Sequence, residues 1–168
     1  TFNQFLKENQ MKKTFIQSWN FPVDNYIPLV YGIRKRSVSG ELCNKATTAN
    51  ELAGFYKKLY KGNVLWKGCK ISLKQKNKIL NMLKKNSSYH KGFSNTNSFV
   101  INGKEIFYTK TGSSSLNPIV YNDAGIIKTK FGDYILAILV MDTISFKEAQ
   151  KILQNIAKII SRYLKNKK

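Results

Sequence analysis

Residues Ile106 to Ser115 read Ile-Phe-Tyr-Thr-Lys-Thr-Gly-Ser-Ser-Ser, an apolar approach that runs into Lys110, Thr111 and Gly112 and then into three serines. An amino group, hydroxyls and a residue without a Cβ stand together there, and at a glycine a ligand and the backbone can approach closely. On the triplet alone the simpler reading is a charged strand end turning into a Ser-rich loop. The alternative is one wall of an active site whose other walls lie elsewhere. The remaining reactive side chains narrow the chemistry. His90 is the single histidine and sits in the polar stretch Ser87-Ser-Tyr-His-Lys91, so it cannot anchor a metal site or serve a Ser-His-Asp arrangement convincingly. Cys43 and Cys69 form no Cys-x-x-Cys; they could make one disulfide in an exported protein or be two unrelated thiols. No metal and no cofactor are expected.

The 29 Lys plus Arg against 9 Asp plus Glu give a formal charge of +20. Such an excess attracts polyanions, whether nucleic acid, anionic lipid or an acidic cell-wall polymer. The charge is nearly all lysine and is spread along the chain with abundant Asn and Ile, which favours a diffuse solvated surface over a dedicated polyanion site. Against a nucleic-acid module, no recognised motif occurs and the aromatics fall on periodic core positions rather than between lysines. No apolar run approaches the ~20 residues of a membrane-spanning helix. The longest, Tyr134 to Met141, has the length of a strand. A chain of 168 residues is the size of one domain. It begins at Thr1 with no signal-peptide pattern and reads as the remainder of something longer.

Local signals give the elements that must position the lysine-threonine-glycine strand. Asn3 to Lys13 reads as a short helix, and Trp19 to Lys45 is an aperiodic stretch punctuated by Pro22, Pro28, Gly32 and Gly40. Thr48-Ala-Asn-Glu51 is a capping box, with the hydroxyl capping the Glu51 N–H and the carboxylate reaching back. Leu52, Phe55, Tyr56 and Leu59 follow on one helical face, and Gly62 ends the helix. A second box, Ser72-Leu-Lys-Gln75, opens a helix that buries Ile79, Leu80 and Leu83. A polar loop is expected over residues 86–97. Beyond it Phe99-Val-Ile, the turn Asn102-Gly103 and residues 105–111 predict a hairpin. Residues 119–128 and 134–141 add two strands, the last covered on both faces. Ser145-Phe-Lys-Glu148 starts the final helix, whose stripe is Phe146, Ala149, Leu153, Ile156, Ile160 and Tyr163. The order predicts an α+β fold, an antiparallel sheet covered by helices.

Three stretches together resemble class A serine β-lactamases and the related penicillin-binding, D-Ala-D-Ala-processing hydrolases. They are Tyr108-Thr-Lys-Thr-Gly112; Asn44-Lys-Ala-Thr-Thr-Ala-Asn-Glu-Leu-Ala53, similar to the helix start after that family's omega-type loop; and Asn122-Asp-Ala-Gly-Ile-Ile127 with Tyr134-Ile-Leu-Ala-Ile-Leu139, similar to its last two strands. A Lys-Thr-Gly alone recurs by chance, and order and spacing make it specific. The resemblance implies a helical region over 1–97, with an omega-type loop at about 19–45, and strands plus a C-terminal helix over 98–168. It implies an acyl-transfer site in which Lys110 supplies positive charge and Thr111 donates to the substrate carboxylate. Gly112 lets the ligand approach, and the Ser113 N–H is an oxyanion donor.

The departures from the family are equally specific. Its Ser-x-x-Lys nucleophile and Ser-x-Asn precede the Lys-Thr-Gly strand. Here Ser88-Tyr-His-Lys91 and Ser18-Trp-Asn20 occur in the wrong order, Ser88 in the expected polar loop. The family's omega-type loop carries a glutamate that activates the deacylating water. Only Glu41, followed by Asn44, could fill that role, with Asp24 a poorer candidate, and Glu41 equally suits a solvated loop. The resemblance implies a β-lactam or a peptidoglycan stem peptide as substrate, an extracytoplasmic setting, and N-terminal strands that these residues do not supply. A non-catalytic peptidoglycan- or polyanion-binding relative is the rival reading.

Overall fold

The computed structural model describes residues 2–16, 45–89, 92–93, 99–101, 103–114, 119–141 and 143–166. Helix α1 (Phe2–Glu8) is followed by β1 (Phe15–Ile16), which pairs antiparallel with β2 (Lys45–Ala46). Next come α2 (Ala49–Lys61), a small hairpin of β3 (Leu65–Trp66) and β4 (Cys69–Lys70), and α3 (Leu73–Tyr89). The main sheet is β5 (Ile106–Ser114), β6 (Val120–Thr129) and β7 (Gly132–Met141), antiparallel in that order, and α4 (Phe146–Asn166) closes the described chain.

The strand period of two divides the sheet into two cores. On one face Ala124 and Ile126 of β6, flanked by Tyr108, Ile135 and Ala137, pack on Tyr56 and Leu59 of α2 and on Ile79, Leu80 and Leu83 of α3. On the other, Ile127, Ile138 and Val140 pack on Phe93, Phe99, Ile101 and on Ala149, Leu153 and Ala157 of α4. The sheet is therefore the middle of three layers, which is the α+β arrangement the element order predicts.

The helix starts follow their side chains closely. The Thr48 hydroxyl accepts from the Glu51 N–H at 3.2 Å, and Gly62 ends α2 in the left-handed region at φ 73°. The Ser72 and Gln75 side chains cap each other's backbone N–H groups at 3.2 and 2.7 Å. The first box departs from expectation in its second half. The Glu51 carboxylate accepts from the Lys13 N–H at 2.5 Å and from the Thr14 hydroxyl at 2.6 Å, tying the segment after α1 to the head of α2. Glu51→Ala is therefore expected to lower stability by about 1–2 kcal/mol, more than loss of an exposed cap contact, in a urea melt.

Four sequence expectations need correction. The first helix ends at Glu8, not Lys13, because residues 9–13 turn over: Asn9 lends its side chain to Leu65, bonding both its carbonyl and its N–H, and Gln10 has φ 63°. Helix α3 continues to Tyr89 through the stretch read as loop, placing Ser88 in its last turn. Phe99 and Ile101 are core residues of an irregular segment and not a strand; burial of two large side chains there outweighs the turn signal around Gly103, and Asn102 lies outside the described residues. Along α4 the inward stripe is Ala149, Leu153, Ala157, Ile160 and Leu164, while Ile156 (36% exposed) and Tyr163 (57%) turn outward. Small alanines face the sheet, so the helix sits close to it and its larger residues fall on the flanks. The aperiodic 19–45 stretch is outside the described residues except for Lys45, which pairs in β2.

Candidate active site

Strand β5 carries the residues singled out above and pairs along its whole length with β6, from Ile106 opposite Lys128 to Ser114 opposite Val120. Its other edge has no strand partner among the described residues. Alternation puts Lys110 and Gly112 on one face of the strand and Thr109, Thr111 and Ser113 on the other, with Ser113 near the strand's exposed end. Thr109 and Thr111 are buried, whereas Lys110, Gly112 and Ser113 are exposed. The Thr111 side chain is 6% exposed, with its methyl group toward residue 92. At Gly112 a Cβ would meet nothing within 4 Å among the described residues, which leaves the space above it open to a ligand.

The backbone orientation of β5 follows from two hydrogen bonds. The Ser87 hydroxyl of α3 lies 3.0 Å from the Phe107 carbonyl and 2.7 Å from the Lys84 carbonyl, and its hydrogen can serve either. The Lys110 amino group donates to the Thr111 carbonyl. Both strand carbonyls belong to odd-numbered residues and point away from β6. In an antiparallel strand the N–H and C=O of one residue point to the same side. The Ser113 N–H accordingly faces the unpaired edge, beside Lys110 and the open space at Gly112. Sequence alone could not give this, because it depends on which residues of the β5–β6 register exchange hydrogen bonds.

Behind this edge lies a residue that carried no functional signal in the sequence. Asp123, on β6 opposite Thr111, is 0% exposed. Its Oδ2 accepts from the Phe93 N–H at 2.9 Å. Burial pushes its carboxyl up to about 7, against the opposing pull of the Phe93 N–H, the Thr109 hydroxyl, the Ala124 N–H and Lys110. The Thr109 hydroxyl lies near enough to favour the charged form, yet neither Thr109 Oγ1 nor Asp123 Oδ1 has a full hydrogen-bond partner among the described residues. Burial also raises the Tyr56 and Tyr121 hydroxyls, with Asp123 adding to both.

Glu41, Asp24, Asn20, Cys43, His90 and Lys91 lie outside the described residues. Cys69 is a free, exposed thiol in the β3–β4 hairpin. No group of three metal-ligating side chains occurs among the described residues, and no described helix is long and apolar enough to cross a membrane. An apolar groove of about 440 Å³ lined by Phe5, Phe55, Trp66, Ile71 and Ile79 includes no residue of β5.

This mixed fold of helices and antiparallel sheet is shared with solved class A β-lactamases and with PBP-A. A family model described as the beta-lactamase enzyme family matches residues 1–164, and the chain belongs to that family. Among solved structures it is similar to the TLA-3 extended-spectrum β-lactamase (TM-score 0.66, 21% identity, covering 96% of this chain and 53% of that one). It is similar to a class A β-lactamase representative from Bacteroides cellulosilyticus (TM-score 0.68, 18% identity, 98% and 53%). A mutant of PBP-A solved as its acyl-enzyme with penicillin G is similar too (TM-score 0.66, 18% identity, 98% and 50%). The chain spans about half the length of these structures. No individual curated protein matches it.

Proposed function

We propose that these residues form the substrate-carboxylate and oxyanion wall of a serine β-lactamase-like acyl-transfer site. Lys110 supplies the positive charge, Thr111 and the open backbone at Gly112 receive the substrate carboxylate, and the Ser113 N–H is one oxyanion donor. The observation that carries the reading is the outward course of β5 at Lys110, Gly112 and Ser113, with free space at the glycine. Family membership supplies the reaction class: opening of an amide through an acyl-serine intermediate. A β-lactam is the favoured substrate, and a D-Ala-D-Ala stem peptide is the second reading, since PBP-A resembles the chain as well as the lactamases do. Glu41 is the candidate for activating the deacylating water. The site would work outside the cytoplasm, with an anionic cell-wall polymer as a further partner of the lysines, and residues 1–97 and 98–168 would act as its helical and sheet halves.

Within these 168 residues no Ser-x-x-Lys stands ahead of β5 in the family's order with a following Ser-x-Asn. The chain is therefore expected to turn over no nitrocefin while still binding benzylpenicillin weakly. Titrating the isotope-labelled chain with benzylpenicillin should move the amide resonances of residues 110–113, and Lys110→Ala should weaken the effect several-fold. Shifts confined to other parts of the chain would sink the proposed wall. Hydrolysis abolished by Ser88→Ala would instead make that serine the nucleophile.

A further inference from the structure

Asp123 is the single charged side chain that is fully buried among the described residues, and it stands in the central strand directly behind the Lys110-Thr111-Gly112 edge. Space filling does not account for it. A carboxylate taken out of water is costly unless its bonds are replaced, and an apolar residue would fill the same volume without that penalty. What the carboxylate supplies and an apolar residue would not is an acceptor for the Phe93 N–H, 30 residues earlier.

The packing around that bond admits little else. A Cβ on Gly92 would lie 1.8 Å from Asp123 Oδ2 and 2.8 Å from Thr111 Cγ2, so the backbone of residue 92 rests on the carboxylate and on Thr111 together. Thr109, the next residue of β5 on this face, lies over Gly125, where a Cβ would come within 2.8 Å of its methyl carbon. Thr109 Oγ1 and Asp123 Oδ1 are both buried without a full partner, and the hydroxyl is near enough to stabilise the charged carboxylate. One carboxyl group thus accepts from the Phe93 N–H, stands opposite Thr111 in the ladder and lies near the Thr109 hydroxyl.

We propose that Asp123 is a positioning residue for the site: it clamps Gly92 and Phe93 onto Thr111, meets Thr109 with its second oxygen, and thereby fixes where Lys110, Gly112 and Ser113 stand at the sheet edge. The importance of that position for chemistry rests on the acyl-transfer reading above; the clamp and its test do not. The titratable groups that interact with the carboxyl are Tyr56 from α2, Tyr121 from its own strand and Lys110 from β5. The Asp123 carboxyl is expected to change charge between pH 5 and 8.

The test is a pH titration of the isotope-labelled 168-residue chain, followed at the Asp123 carboxyl carbon and at the amides of Phe93, Thr111 and Ser113. All four are expected to titrate together with a midpoint of about 7. Asp123→Asn keeps an acceptor for Phe93, so it should leave residues 110–113 in place and abolish the shared titration. Asp123→Leu should speed hydrogen exchange at Phe93 by roughly ten- to hundred-fold and displace the resonances of residues 110–113. Should the leucine variant not fold, the asparagine variant decides: a shared titration that survives it overturns the clamp. Unchanged exchange at Phe93 in the leucine variant overturns it as well. Failure of penicillin to bind would count against the acyl-transfer reading and leave these outcomes untouched.

Discussion

Replacing Gly125 with alanine is expected to abolish cooperative folding of the sheet. The added Cβ would stand 2.2 Å from the Tyr108 carbonyl oxygen and 2.6 Å from Thr109 Cα. Both are backbone atoms of the paired strand, so no rotamer change relieves the contact, and β5 must separate from β6. Overpacking in a well-filled core costs about 1–3 kcal/mol and occasionally more. This backbone collision belongs at or above the upper end, a large share of the roughly 5–15 kcal/mol that holds a domain together. Circular dichroism and a urea melt would register it as loss of the transition. Gly112→Ala is the control on the neighbouring strand, where a Cβ meets nothing within 4 Å. It should change stability by about 0.5 kcal/mol or less. A Gly125→Ala protein as stable as the parent would show that the two strands are not in the register described.

The second large effect is on pH dependence. Burial raises the Asp123 carboxyl from 3.8 to about 7, so the folded state holds this proton more tightly than the unfolded chain does. A raised carboxyl contributes stability that is fully present below the unfolded value, near pH 4. That stability is lost as pH rises through the folded value, near 7. One pKa unit corresponds to about 1.4 kcal/mol, so the separation amounts to roughly 4 kcal/mol at most. Asp123→Asn has no proton to lose, and its stability relative to the parent should climb between pH 4 and 8 and level off above. Urea melts across that range measure the difference directly. A difference that stays flat, or that moves the other way, would show a carboxylate satisfied in its charged form.

What could be read from the sequence was what neighbours in the chain decide. The caps at Thr48 and Ser72, the stop at Gly62 and the three strands of the sheet each rest on contacts within a few residues, and the structure has them. The errors arise where distant packing prevails. Asn9 is drawn to Leu65 and ends the first helix early; Glu51 turns from its own cap to Thr14; Phe99 and Ile101 are buried without pairing as a strand. On α4 the expected stripe holds at Ala149 and Leu153 but not at Ile156 and Tyr163, which turn outward while Ala157 is pressed on the sheet. Of the candidate site, the exposed lysine and the open glycine were legible from residue type. Asp123 was not. Its sequence neighbours give no reason for a buried charge, and the reason lies in Gly92 and Phe93, which only the fold brings to it.

The outer side of β7 has a consequence for how the chain behaves in company. Among the described residues its ten residues pair with β6 alone, and on α4 the side chains of Ile152, Ile156, Ile159 and Tyr163 are 36–65% exposed. An open strand edge is a template for pairing, and exposed apolar side chains add burial to whatever lies along them. Two chains meeting there compete with any strand from elsewhere in the same polypeptide. Pairing between two chains is bimolecular and pairing within one is not, so association along this edge is expected to fall on dilution.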